Sequence, residues 1–212
     1  MQAFLLCPKI ERNENMEEKD LRQKNIISIE FTEELMNNWI DNVYFKKHPT
    51  ARKRPLETPA NPSLNKWIIL RRMSMNKLKQ DYKDFTKFVI SHYGLEDLGI
   101  SKCKCKYITF RESKRRIDLD NTTPKFILDG LTAECTGVIC DDGVDCITEL
   151  TLLSEFKGCH GARIEFYDCE YDKDLLEKTR IKELGKSEKR QATIDKNKAE
   201  KKAKKKTSSK KK

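Results

Sequence analysis

The sequence predicts an α+β domain of the layered α/β kind, a small mixed β-sheet with two packed helices in strand-helix-strand-helix-strand-strand order. Several short segments carry β-branched or alternating apolar residues, two stretches carry apolar residues at helical spacing, and no internal repeat interrupts them. Charged residues make up 37% and apolar residues 37% of the 212 positions, against roughly 25% and 45–50% in an average globular domain. Part of the chain is therefore solvated and without a core. Residues 173–212 hold 17 Lys or Arg and 6 Asp or Glu, a net of +11; the whole chain is +10, so the 172 residues before them sum to −1. The expected layout is an N-terminal extension (1–24), a near-neutral body (25–172) with an insertion at about 32–60, and a basic, largely disordered tail (173–212).

The extension is charged and aperiodic, and Met16 is an alternative translation start. Asn25–Phe31 reads as the first strand, from its β-branched residues and closing alternation. Mixed signals follow: a short helix around Glu33–Asn42, then a basic, proline-bearing loop from Lys46 to Pro62. Ser74 is a candidate N-cap for a helix whose stripe is Met75, Leu78, Tyr82, Phe85 and Val89, ending at Gly94. A core-facing helix is the ordinary cause of such a stripe, a dimer seam the alternative. Cys103–Phe110 alternates as a strand, and Thr123-Pro124 reads as the cap and first residue of a second helix carrying Phe126, Ile127, Leu128 and Leu131, stopping near Gly137. Val138–Cys140 is a short apolar run ending in two aspartates. Ile147–Phe156 and Arg163–Cys169 are the closing strands, with Lys157–Gly161 as the turn between them.

Several function classes fall away. No stretch approaches the ~18 apolar residues of a membrane span, and Met1–Pro8 lacks the basic n-region of a secretion signal. A chain of this kind is expected to be cytoplasmic with reduced thiols. There is no Gly-x-Ser-x-Gly and no phosphate-binding glycine loop, and His48, His92 and His160 do not make a histidine-centred nuclease. Among the eight cysteines, Cys103 and Cys105 share a strand face and Cys159-His160 is the pair that would approach them. The usual paired zinc spacing is missing, so zinc is the minor alternative to buried thiols.

The chemistry concentrates between Lys114 and Asp142. In an extended segment residues two apart face the same way, so Asp118 and Asp120 present both carboxylates to one point while Leu119 faces inward. Such a pair suits magnesium, which takes carboxylate oxygens and keeps several waters. An Asp-x-Asp by itself is as readily a turn or a helix cap. Asp141 and Asp142 change the odds: if the run they end lies beside the strand leading into Asp118, all the acids meet at one sheet edge. Carboxylates so gathered raise one another's pKa, a cost that a cation relieves. Lys114, Arg115 and Arg116 sit directly upstream, placed for backbone phosphates or else forming a solvated charge run.

Lys114-Arg115-Arg116-Ile117-Asp118-Leu119-Asp120-Asn121, then Lys125–Leu131, then Asp141-Asp142, resembles the RusA-type Holliday-junction resolvases of phages and prophages, over about residues 25–170. The resemblance implies a homodimer that cuts branched DNA such as four-way junctions by paired nicks, with Mg²⁺ and neither a membrane nor a small-molecule cofactor. It implies Asp118, Asp120 and Asp142 as metal-binding acids, Asp141 as an accessory, Lys125 as the catalytic lysine, and Lys114, Arg115, Arg116 and Asn121 as DNA contacts. Three features depart from the family: Thr122-Thr123-Pro124 is one residue longer than the usual spacing before the lysine, the segment from the helix to Asp142 is slightly longer than usual, and the insertion and the tail have no counterpart. The competing expectation is a non-enzymatic nucleic-acid-binding protein that works through its Lys-rich tail, which truncation after Asp172 would expose.

Overall fold

A computed structural model describes residues 26–209; the extension 1–24 with its alternative start Met16 lies outside them, as do residues 210–212. The strands are β1 (Ile27–Thr32), β2 (Ile100–Arg111), β3 (Ile147–Phe156) and β4 (Gly161–Tyr171), and the helices are α1 (Glu33–Trp39), α2 (Phe45–Lys47), α3 (Leu64–Trp67), α4 (Arg72–Tyr93), α5 (Lys125–Leu131) and α6 (Lys173–Ser209). The four strands form one sheet in the order β1-β4-β2-β3. β4 runs antiparallel to both β1 and β2, whereas β2 and β3 are parallel. The expected mixed sheet is what the chain forms. Its two closing strands, consecutive in sequence, do not pair with one another: they flank β2, and the turn after β3 steps across the end of β2, where Lys157 and Gly158 both donate to the Arg111 carbonyl at 3.1 Å.

Inward-facing Ile29 and Phe31 of β1, Cys105 and Tyr107 of β2 and Ile164 and Phe166 of β4 meet the helices in one core. Burying these side chains is the main driving force for the layer. α4 supplies Tyr82, Phe85, Val89 and Ile90, all buried, with Met75 and Leu78 packed at its margin, so the stripe belongs to the core and is no free seam. Gly94 ends α4 at φ +64°, the left-handed cap expected. Its start differs: α4 begins two residues before Ser74, and the N-cap position is Arg71, without a side-chain cap. Met73, drawn into the first turn, stays exposed and adds nothing to the stripe.

The insertion is more structured than a loop. Thr32 ends β1 and at once caps α1, its hydroxyl accepting from Leu35 N at 3.2 Å. A wide π-helical turn, Ile40–Tyr44, joins α1 to α2 and brings Ile40 and Tyr44 into the core beside Trp39. The rest is pinned from below: Leu56 is buried, the Tyr82 hydroxyl lies 2.9 and 2.8 Å from the carbonyl oxygens of Thr58 and Ala60, and Asn61 N donates to the Tyr107 hydroxyl at 3.0 Å.

α5 is seven residues long and stops at Leu131, with the turns up to Gly137 outside it. Pro124, not Thr123, is its N-cap residue, and its side chain offers no cap. Of the tail, expected to be largely disordered from its composition, the described part Lys173–Ser209 takes a helical course as α6. Leu176 packs with Ala133 and Cys140, and Arg180 reaches Asp97 and the Ala133 carbonyl, the latter at 3.1 Å, which ties the first turns down. From Lys186 to Lys196 every described side chain is exposed, so that part is solvated as the composition requires. Among the described residues no helix is long and apolar enough to cross a membrane.

Candidate functional site

Parallel strands cannot be joined by a tight hairpin, so the chain needs a crossover from the end of β2 to the start of β3. That crossover, residues 112–146, contains α5 and every residue of the motif from Lys114 to Asp142. Its first part, after Arg111, lies beyond the carboxyl end of β2, where ligands of parallel sheets commonly bind, and its last part returns to the amino end beside Ile100.

The first half of the crossover is a solvated connection. Arg111 holds it at one point, its Nη1 donating to the Arg115 carbonyl at 3.2 Å. Lys114 leans over the Phe156 ring at 5.5 Å from the centroid, whereas Arg115, Arg116 and Asp118 line an open cleft of about 1500 Å³, with Asn121 at the same wall. Asp118 is extended, but Leu119–Asn121 closes into a 3₁₀ turn that lies against α3 and β3. The alternation expected for Asp118-Leu119-Asp120 is therefore not realised, and Leu119 is 44% exposed instead of facing inward. The physical reason is local: Thr122 donates its hydroxyl to the Leu119 carbonyl at 2.7 Å and Asn121 N donates to the Asp118 carbonyl at 3.2 Å, an alternative to the extended ladder.

The second half holds an acid and lysine pair on α5, with Asp142 beyond its end. Lys125 is the first residue of the helix and lies 3.7 Å from Asp129, one turn on. Asp129 is buried, and Lys79 of α4 approaches its other oxygen at 2.9 Å. Asp142 is the third charged group. Partial burial, and after it the Asp129 charge, hold its carboxyl above the usual range, with Lys125 pulling the other way. Asp141 braces it from behind, its Oδ1 accepting from Asp142 N at 2.9 Å.

The route to that position departs from the expected strand pairing. Val138–Cys140 lies alongside Ile100, with Ile100 N donating to Val138 O at 2.9 Å and Cys140 N to Ile100 O at 2.8 Å. Ile100 opens β2, while Asp118 follows its other end, so the acids are not gathered by two neighbouring strand ends. They face the metal question in two parts. Hard carboxylate oxygens suit Mg²⁺, and a cation would relieve the repulsion between Asp142 and Asp129. Among the described residues, however, no group of three or more His, Cys, Asp or Glu side chains is arranged to hold a metal ion. The same holds for zinc: Cys159-His160 sits beside the Phe110 end of β2, His160 lies 3.0 Å from Glu112, and Cys103 is at the opposite end.

Two residues carry weight that the sequence did not announce. Asn61, at the end of the insertion, accepts from Phe126 N at 2.8 Å and so caps α5 from 65 positions away, in place of the cap that Pro124 lacks. Asp129 had a legible signal in its i,i+4 spacing from Lys125. Its neighbour Gly130 permits the close contact of α5 with α4, since a Cβ there would stand 2.7 Å from the Thr86 Cβ. No protein-family model matches the chain, and comparison with the curated proteins gives no match.

Proposed function

We propose that the chain is a Mg²⁺-dependent endodeoxyribonuclease that resolves Holliday junctions or related branched DNA by paired nicks. In this reading it acts as a homodimer in recombination or repair, in the cytoplasm of a bacterial host that carries it on a phage or prophage. One observation supports it above the others: all the acids and cations of the motif lie in the single crossover between β2 and β3, where Lys125 pairs with Asp129 and the charges of both act on Asp142.

Asp118, Asp120 and Asp142, which the fold leaves on two separate halves of the crossover, are the residues that the resemblance assigns to magnesium, which would supply an activated water and stabilise the leaving oxygen. Arg115 and Arg116 hold the backbone phosphates on either side of the cut, with Lys114 and Asn121 as flanking contacts. Lys125 neutralises the charge that develops on the scissile phosphate. It is free to do so because Lys79 keeps Asp129 paired when Lys125 turns away. Asp141 keeps the Asp142 backbone in place.

Cleavage of a synthetic four-way junction with Mg²⁺ tests the reading. Asp120→Asn is expected to slow cutting by about 100-fold or more, since even removing partners of metal ligands costs about 10–100-fold, while binding persists. A variant that cuts as fast as the parent removes Asp120 from the mechanism. α6 favours a second reading, a non-enzymatic binder that works through its basic tail, because its described side chains from Lys186 to Lys196 are all solvated. Truncation separates the two, but not after Asp172, because Leu176 and Arg180 belong to the body's packing. Cut after Gly185, a nuclease keeps junction cleavage and a tail-driven binder loses its affinity.

A further inference from the structure

The cleft has a second wall. Besides the crossover residues it is lined by Arg52, Lys53 and Arg54, from the insertion that the family resemblance leaves without a counterpart. These three are exposed, yet the segment that carries them is anchored by Leu56 in the core and by the Tyr82 and Tyr107 hydroxyls on Thr58, Ala60 and Asn61. Three cations are thus held on a tethered loop that lines the same cleft as Arg115 and Arg116.

Their pairing is informative. Within the same cleft Lys66 lies 3.4 Å from Glu57 and Lys77 2.8 Å from Asp81, so those charges are spent. Arg54 hydrogen-bonds Asn37, a neutral partner. Among the described residues Arg52, Lys53, Arg115 and Arg116 have no carboxylate partner at all. The body as a whole is near neutral, so this surplus is a local concentration and not a share of a general basic charge. Unpaired cations on both walls of a concave surface repel one another, and their fields add inside it. A ligand with a repeating negative charge relieves that repulsion on both sides at once.

We propose that Arg52, Lys53 and Arg54 form the second wall of a DNA channel, gripping the phosphate backbone of the strand that Arg115 and Arg116 hold from the crossover. This rests on the reading of the chain as a DNA-cutting protein. The repeating charge distinguishes the ligand from a single anion, and the backbone of DNA supplies it sequence-independently.

The full chain carrying Asp120→Asn, so that nothing is cut, is titrated against a fluorescent four-way junction over a range of salt concentrations. Each phosphate contact contributes about 0.9 to the slope of log affinity against log salt. Arg52→Ala/Lys53→Ala is expected to lower that slope by about 2 and weaken binding about 10-fold or more near 0.1 M salt, with an unchanged circular-dichroism spectrum. Arg115→Ala/Arg116→Ala is expected to act in the same way. Slope and affinity unaltered by Arg52→Ala/Lys53→Ala but lowered by Arg115→Ala/Arg116→Ala would overturn the second wall and leave the nuclease reading standing. No binding by the parent, or binding that neither pair of substitutions affects, would defeat the nuclease reading itself. Displacement of the junction by polyglutamate at equal charge would also overturn the proposal, in favour of an acidic protein ligand. Arg52→Gln/Lys53→Gln, which keeps length and removes charge, serves if the alanine pair fails to fold.

Discussion

The two halves of the crossover carry the same chemistry on opposite kinds of structure. Lys114–Asn121 is solvated and held by a few backbone contacts, with Leu119 turned outward. Lys125–Asp142 is anchored in the body, though Lys125 and Asp142 themselves stay exposed: Asp129 is buried between Lys79 and Lys125, Phe126 and Ile127 are in the core, and α5 presses on α4 at Gly130. The run with the most recognisable sequence is thus the one least tied down. A binding site that must close around a long charged ligand uses both kinds, a fixed cluster to place reactive groups and an open arm to meet the substrate.

The largest test of that difference is Gly130→Ala. A methyl group there would meet three Thr86 side-chain atoms at 2.7–2.9 Å, and two helices would have to separate to admit it. Overpacking of this kind costs about 1–3 kcal/mol, which urea unfolding would read. Separation would also carry Lys125 and Asp129 away from Lys79, so junction cleavage is expected to fall while binding through Arg115 and Arg116 is retained. Equal loss of both would mean that the two halves are not independent.

How much of this was readable beforehand depends on the range of the forces involved. The α4 stripe and the β3 limits, Ile147–Phe156, follow from apolar periodicity within a single element, and both stand as expected. The same reading failed at Leu119, where Asn121 and Thr122 close a local turn that overrides alternation, and at Ser74, where the helix runs on past its expected cap. The basic residues of the insertion were plain in the sequence, but their place in one cleft with Arg115 was not, because it depends on Tyr82 and Tyr107. The sheet order is likewise tertiary. Nothing in β3 or β4 alone says that β2 comes between them.

Asn61 is the next contact to break. It joins the insertion to the fixed half, and Asn61→Ala would leave the Phe126 N–H without its acceptor. Loss of such a cap costs about 1 kcal/mol. If α5 owes its placement to this bond, cleavage should fall in step with stability, and Asn61→Asp, which keeps the acceptor oxygen, should recover most of both. An alanine variant as stable as the parent would show that packing alone positions the helix.

The smallest expected effect concerns charge within the fixed half. The folded chain holds the Asp142 carboxyl above its usual range, through partial burial and the nearby Asp129. An acid raised on folding contributes stability that is fully present below the unfolded value, about 3.9, and is lost as pH rises through the folded value. At neutral pH the folded chain therefore carries the whole penalty of that ionised carboxylate. Asp142→Asn is expected to melt slightly higher than the parent at pH 7, with the gap closing as pH falls toward about 4. Mg²⁺ should narrow the same gap at pH 7 by stabilising the parent alone, a readout independent of cutting. A variant that melts lower than the parent at pH 7 would mean that Asp142 is there for packing or hydrogen bonding, and that the cluster is not held ready for a cation.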